Sequence, residues 1–287
     1  MSGNKCLNEP YNSRDMAQTK SALNPSGIQL FKEGLSKLKE KFDGTQGEPY
    51  IVESNKFKAL YFDSESTQSL MDMQSPIRLV VSYTETMMGF LLFNADPKRI
   101  AMIGLGGGSL AKYCHHYLPD SSIVVMENNP KVIALKGKFH VPENSVHFQV
   151  LEADGAAYLR GADEKFDVLL VDGYTKLGQA AQLCSEDFYA SCLACLNPNG
   201  VLVINFSGAA GLNQVYQERI DRIFEHPSVL VMEDDRMNQI LFVCNGAALD
   251  ISSEELLRQS SRLSKVHDIH LPRTAQNFLS TRKNSLI

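Results

Sequence analysis

Five apolar runs, RIAMIGL, SIVVME, VHFQVLEAD, FDVLLVD and GVLVINF, follow one another from Lys98 onward. Segments with helical spacing separate or follow them, at 107–118, 130–138, 155–161, 186–196 and 211–224. Strands that are apolar throughout, rather than at alternate positions, need cover on both faces. Alternation with helices supplies that cover, so the pattern predicts an α/β fold built on a parallel sheet. Two more runs, SVLVME and QILFVCN, stand close together around the charged turn DDRM. They are expected to close the sheet as a terminal antiparallel hairpin.

The flanks read differently. Residues 1–27 are polar, mixed in sign and without period, and are expected to be a mobile tail. From Ile28, Leu30, Phe31, Leu35, Leu38 and Phe42 share one helical stripe that ends at Gly44. The β-prone pieces Tyr50–Glu53, Phe57–Phe62 and Thr67–Met71 predict a small antiparallel sheet, so that 28–74 form a helix and β-module and 75–287 the large domain. Ser75 as N-cap and Pro76 at the first helical position predict a joining helix over SPIRLVVSYTETMMGFLLF. The C-terminal part from Ile251 reads as helical, with a break at Pro272.

The chain has 287 residues and a formal net charge of -5, which argues against nucleic acid as the default partner. Its longest apolar run is too short for a membrane span and contains Glu85. No secretory leader pattern opens the sequence, and six scattered cysteines do not suggest a disulfide framework, so a reducing cytoplasm is expected. Cys192 and Cys195 lie in a predicted helix without a second pair, and the seven histidines show no ligand spacing; no metal site is expected.

At the end of the first parallel strand the chain reads GLGGGSL. In such sheets ligands sit beyond the carboxyl ends of the strands. Gly104, Gly106, Gly107 and Gly108 permit a tight turn that a ligand can approach, at the start of a helix whose amides are free. About 20 residues on, the second strand ends in Glu127, from which a carboxylate can hold a ribose diol; the plainer alternative is an exposed residue at a loop edge. Asp154, followed by Gly155 after the third strand, can accept from an adenine amino group, or cap its own helix, or both. The terminal hairpin belongs to methyltransferase-like Rossmann sheets, whereas dinucleotide folds continue with parallel strands. GLGGGS also departs from G-x-G-x-x-G, since Ser109 stands where the last glycine would fall. A sulfonium nucleoside is therefore the expected ligand.

With YIVESNKFKALYFD, the QS of the β-module, PKRIAMIGLGGG, VVMENNPKVI, ADGAAYL, FDVLLVDGYTKLGQAAQL and FYASCLACLNPNGVLVIN in order, the chain resembles the spermidine synthase (polyamine aminopropyltransferase) family from about Glu48 to Cys244. The resemblance implies a small β-domain on a methyltransferase-like domain, homodimers, no prosthetic group, and transfer of an aminopropyl group from decarboxylated S-adenosylmethionine to an amine. It implies Glu127 on the ribose, Asp154 and Gly155 at the adenine, and Asp172 as the base that takes the amine's proton. Gln68, Tyr83, Glu85 and Tyr174 would line the substrate side. Two acidic positions of the family are absent: its glycine-loop aspartate is Gly107 here, and the second aspartate of its D-S-S-D-P loop is Thr175, beside Lys176. Losing such a charge-assisted contact costs about 1.5–3 kcal/mol. Either the acceptor or donor differs, or acids elsewhere, Glu85 or Asp72, substitute. An S-adenosylmethionine-dependent methyltransferase on another acceptor, and a non-catalytic homologue that binds nucleoside or a partner protein, are the rival readings.

Overall fold

The computed structural model describes residues 48–62, 67–175, 178–207, 210–233 and 238–284. The expected tail, the helix from Ile28 to Gly44, the DDRM turn and Lys176 lie outside these residues. Three strands come first, Tyr50–Glu53 (β1), Phe57–Tyr61 (β2) and Thr67–Asp72 (β3), paired antiparallel in that order as the sequence predicts. Every residue of β2 is buried, because other parts of the same compact unit, Thr45–Ile287, cover the small sheet. Lys58 of β2 donates to the Lys138 carbonyl at 3.0 Å and also pairs with Glu53 at 3.1 Å.

The joining helix starts later than expected. Ser75 and Pro76 open a turn, closed by Arg78 N–H donating to the Ser75 carbonyl at 3.0 Å, and the helix (α1) runs Ser82–Met87 with Val81 as N-cap. The β-branched pair Val80-Val81 loses side-chain freedom in a helix and so favours the extended lead-in. A 3-10 turn over Met88–Leu92 follows, buried throughout.

All five apolar runs become parallel strands: Arg99–Ile103 (β4), Ser122–Glu127 (β5), Phe148–Glu152 (β6), Phe166–Val171 (β7) and Leu196–Ser207 (β10). Between β7 and β10 lies a short hairpin that the sequence pattern does not announce, Tyr174–Thr175 (β8) with Gly178–Gln179 (β9). Val229–Met232 (β11) and Asn238–Cys244 (β12) form the expected terminal antiparallel hairpin, β12 beside β10. The seven-stranded order is β11-β12-β10-β7-β4-β5-β6. The chain leaves β4 toward β5 and β6, then returns to β7 on the other side. The order therefore reverses between β4 and β7, which opens a crevice at their carboxyl ends.

Alternation along β4 divides the core. Ile100 and Met102 face one layer with Tyr113, Phe139 and Phe148, while Ala101 and Ile103 face the other with Leu159, Phe188 and Tyr189. The helices are Ser109–Tyr117 (α2), Pro130–Ala134 (α3), Gly155–Gly161 (α4), Glu186–Cys195 (α5), Ala210–Phe224 (α6), Ser253–Leu263 (α7) and Leu271–Asn284 (α8). Pro272 sits in the first turn of α8, where its missing N–H costs nothing, so the break precedes it. Cys192 and Cys195 on α5 are free, buried thiols. Among the described residues no helix is long and apolar enough to cross a membrane, and no group of three or more metal-ligating side chains converges.

Candidate active site

The glycine loop hangs between the ends of two strands. Gly104 N–H donates to the Met126 carbonyl at 2.8 Å on the β5 side, and Asp172 N–H donates to the Ile103 carbonyl at 2.9 Å on the β7 side. Gly104 has φ 95°, and a Cβ there would lie 2.3 Å from the Asp172 carbonyl oxygen. Only glycine permits both the backbone angle and that approach. Loop and Asp172 are therefore in main-chain contact, at the crevice the strand order opens. Strand β3 flanks the other side, its Gln68 carbonyl 3.8 Å from where a Cβ of Gly106 would stand.

Glu127 ends β5, buried beside this loop. Its Oε2 accepts from Leu105 N–H at 2.9 Å and its Oε1 from Asn129 N–H at 2.8 Å. Two backbone donors fix the plane of the carboxylate, and each oxygen keeps a lone pair for a ligand hydroxyl. The glutamate expected on a ribose is thus tied to the turn expected to hold the rest of the nucleoside. Asp154 caps α4, Oδ1 accepting from Ala157 N–H at 2.8 Å, while Oδ2 accepts from Gln182 Nε2 at 3.2 Å. A Cβ on Gly155 would stand 2.6 Å from Ile103 Cγ2, so this glycine lets α4 close onto β4.

Asp172 follows β7. Its Oδ2 accepts from the Tyr83 hydroxyl of α1 at 3.0 Å and its Oδ1 from Asn205 Nδ2 of β10 at 2.9 Å. Burial pushes its pKa above the usual aspartate value, and the two hydrogen bonds oppose that rise. Such a carboxylate is held in one orientation and binds a proton more readily than a solvated one.

Glu85 is not part of this cluster. It lies two residues beyond Tyr83, about 200° further round α1, and its Oε2 accepts from His270 N–H at 3.1 Å. Burial raises its pKa among the C-terminal residues. Asp72 is buried in β3, with Oδ1 closing a turn from Gln74 N–H at 2.9 Å. Tyr174 enters β8 opposite Gln179; its side chain is outside the described residues. Asn205 is the site residue that sequence reasoning passed over. The available signal was an amide at the carboxyl end of an otherwise apolar strand, where a fully buried sheet has little reason to carry one.

The spermine/spermidine synthase domain model matches residues 80–228, more than half of the chain. A polyamine aminopropyltransferase of Chromobacterium violaceum is 43% identical over 176 residues, covering 61% of this chain and 67% of that protein. One from Neisseria meningitidis is 30% identical over 237 residues, covering 82% and 90%. Among solved structures, a spermidine synthase in complex with the transition-state analogue AdoDATO aligns at TM-score 0.61 with 18% identity, over 83% of this chain and 88% of that one. Human methyltransferase-like protein 13 in complex with SAH aligns at 0.58 with 21% identity, over 68% and 93%. At these identities the structural likeness speaks for the fold.

Proposed function

We propose that this chain, which belongs to the spermine/spermidine synthase family, is an aminopropyltransferase whose Asp172 takes the proton of an attacking amine. The observation that carries the reading is the position of that carboxylate. It is oriented by Tyr83 and Asn205, and its own backbone touches the glycine loop that would receive the donor. Glu127 ends β5 and Asp154 follows β6, the next two strands out from β4, in the order a nucleoside would meet them.

The chemistry follows from these groups. A free amine is protonated in neutral water and has no lone pair to offer. Asp172 holds the ammonium and accepts a proton as the nitrogen attacks the carbon next to the sulfonium. The carbon–sulfur bonding pair returns to sulfur, and 5'-methylthioadenosine leaves uncharged. Tyr83 and Asn205 keep the accepting lone pair aimed, so the site contributes alignment as well as basicity. The acceptor side departs from the family pattern: Thr175 replaces an aspartate and Lys176 follows it. That exchange supports an acceptor whose far end is not a second ammonium.

Incubation with decarboxylated S-adenosylmethionine and a panel of mono- and diamines tests this. The proposal expects 5'-methylthioadenosine and an aminopropylated amine. Release of S-adenosylhomocysteine from S-adenosylmethionine, with no methylthioadenosine from either donor, would establish methyl transfer instead.

A further inference from the structure

The helix that carries Tyr83 is held from two sides. Tyr83 reaches from one side of α1 to Asp172 Oδ2 at 3.0 Å, and Glu85, about 200° further round, accepts on the other from the His270 N–H at 3.1 Å. α1 is six residues long, and its N-cap, Val81, offers no side-chain hydrogen bond. A helix that short has little stability of its own, so its pose depends on what holds its side chains. His270 stands immediately before α8, its carbonyl accepting from Thr274 N–H at 3.2 Å. α8 is in turn seated on the 3-10 turn that follows α1. A Cβ built on Gly89 would stand 2.9 Å from Thr274 Cγ2 and 3.0 Å from Phe242 Cζ. Glu85 therefore meets an amide whose place is fixed by α8, beyond the residues 80–228 that the family domain model matches.

The charged and titratable groups around Glu85 are Arg78 before α1, Asp268 and His270 before α8, and Tyr113 of α2. The His270 amide asks of Glu85 an acceptor oxygen, which a carboxamide also has. We infer that Glu85 is a positioning residue for the proposed base: by fastening α1 to the start of α8, it holds the Tyr83 hydroxyl against Asp172. The inference rests on the reading of Asp172 as the base and extends it to a residue that touches neither Asp172 nor the glycine loop. A Glu85 that merely stabilised the fold would lower the melting temperature and leave Asp172 as it is. A positioning Glu85 changes how readily Asp172 gives up its proton, and does so only while Tyr83 is present to transmit the change.

The Asp172 titration is read directly by carboxyl carbon-13 NMR of the full chain labelled at aspartate, its signal assigned by loss in Asp172→Asn. Methylthioadenosine release from decarboxylated S-adenosylmethionine is followed against pH with the same amine panel. Tyr83→Phe removes a donor to the ionised form and should raise the Asp172 pKa by about half a unit to one unit. Glu85→Ala should raise it comparably, and Glu85→Gln should return it to within about a quarter of a unit of wild type. In the Tyr83→Phe background, Glu85→Ala should add no further shift. An Asp172 pKa that Glu85→Ala leaves unmoved, that it shifts equally with and without Tyr83, or that Glu85→Gln does not restore overturns the inference. Should Glu85→Ala not fold, Glu85→Asp, one methylene short of the His270 amide, is read in the same way. If the wild type releases no methylthioadenosine, the alkyl-transfer reading fails, and the titration still decides the role of Glu85.

Discussion

Asp172 takes one hydrogen bond from a helix and one from a neighbouring strand, and each has a separable effect. Its pKa is raised by burial, so the ionised fraction, and with it activity, is lost at a higher pH than for an exposed aspartate as the medium is acidified. Asn205→Ala removes a donor to the ionised form. The acid limb of the kcat/KM profile should therefore move up in pH, about half a unit to one unit, which a pH–rate series checks. Lys112 gives a stability prediction at the same scale. Its folded pKa is lowered to about 8 from 10.5 by burial. Between those values the unfolded chain binds more protons, so stability due to this group rises with pH through the window and is lowest below it. Denaturant titrations of wild type and Lys112→Met should diverge by on the order of 3 kcal/mol across that window. The positions of Glu127 at the end of β5 and Asp172 just after β7 were legible, because each stands in a readable strand-end motif. Asn205 was not, because its meaning lies in Asp172, which faces it across 33 residues of chain.

At the scale of elements, parallel strands announce themselves because both faces must be apolar, and β4, β5, β6, β7 and β10 all appear where the sequence puts them. The start of α1 was misread because Ser75-Pro76 serves a turn as well as it serves a helix, and only tertiary packing decides between them. The hairpin of β8 and β9 is four residues of pairing with no apolar alternation, too short to leave a pattern. The loop after β4 is the element on which the proposed donor binding depends. Gly104→Ala combines a left-handed backbone with a contact of 2.3 Å to the Asp172 carbonyl oxygen. It should cost at least about 1–3 kcal/mol and weaken donor binding more than tenfold, as thermal unfolding and calorimetry of the variant would show. Gly155→Ala would set a Cβ 2.6 Å from Cγ2 of the buried, β-branched Ile103, which has little freedom to turn away, so this variant too should lower stability.

The whole molecule joins a family fold to the site proposed above. The sheet and the reversal of strand order between β4 and β7 lie within the family match over residues 80–228. Gly107 stands on the loop after β4 and Thr175 in the short β8 hairpin, both outside the seven-stranded sheet, so neither is part of its strands. The most direct test follows methylthioadenosine release by Asp172→Asn, with donor affinity measured on the same sample. Removing the charge should leave affinity within about threefold of wild type while turnover falls by roughly 10²–10⁴. Turnover that survives the substitution would contradict the assignment of the base, and with it the reaction proposed for this chain.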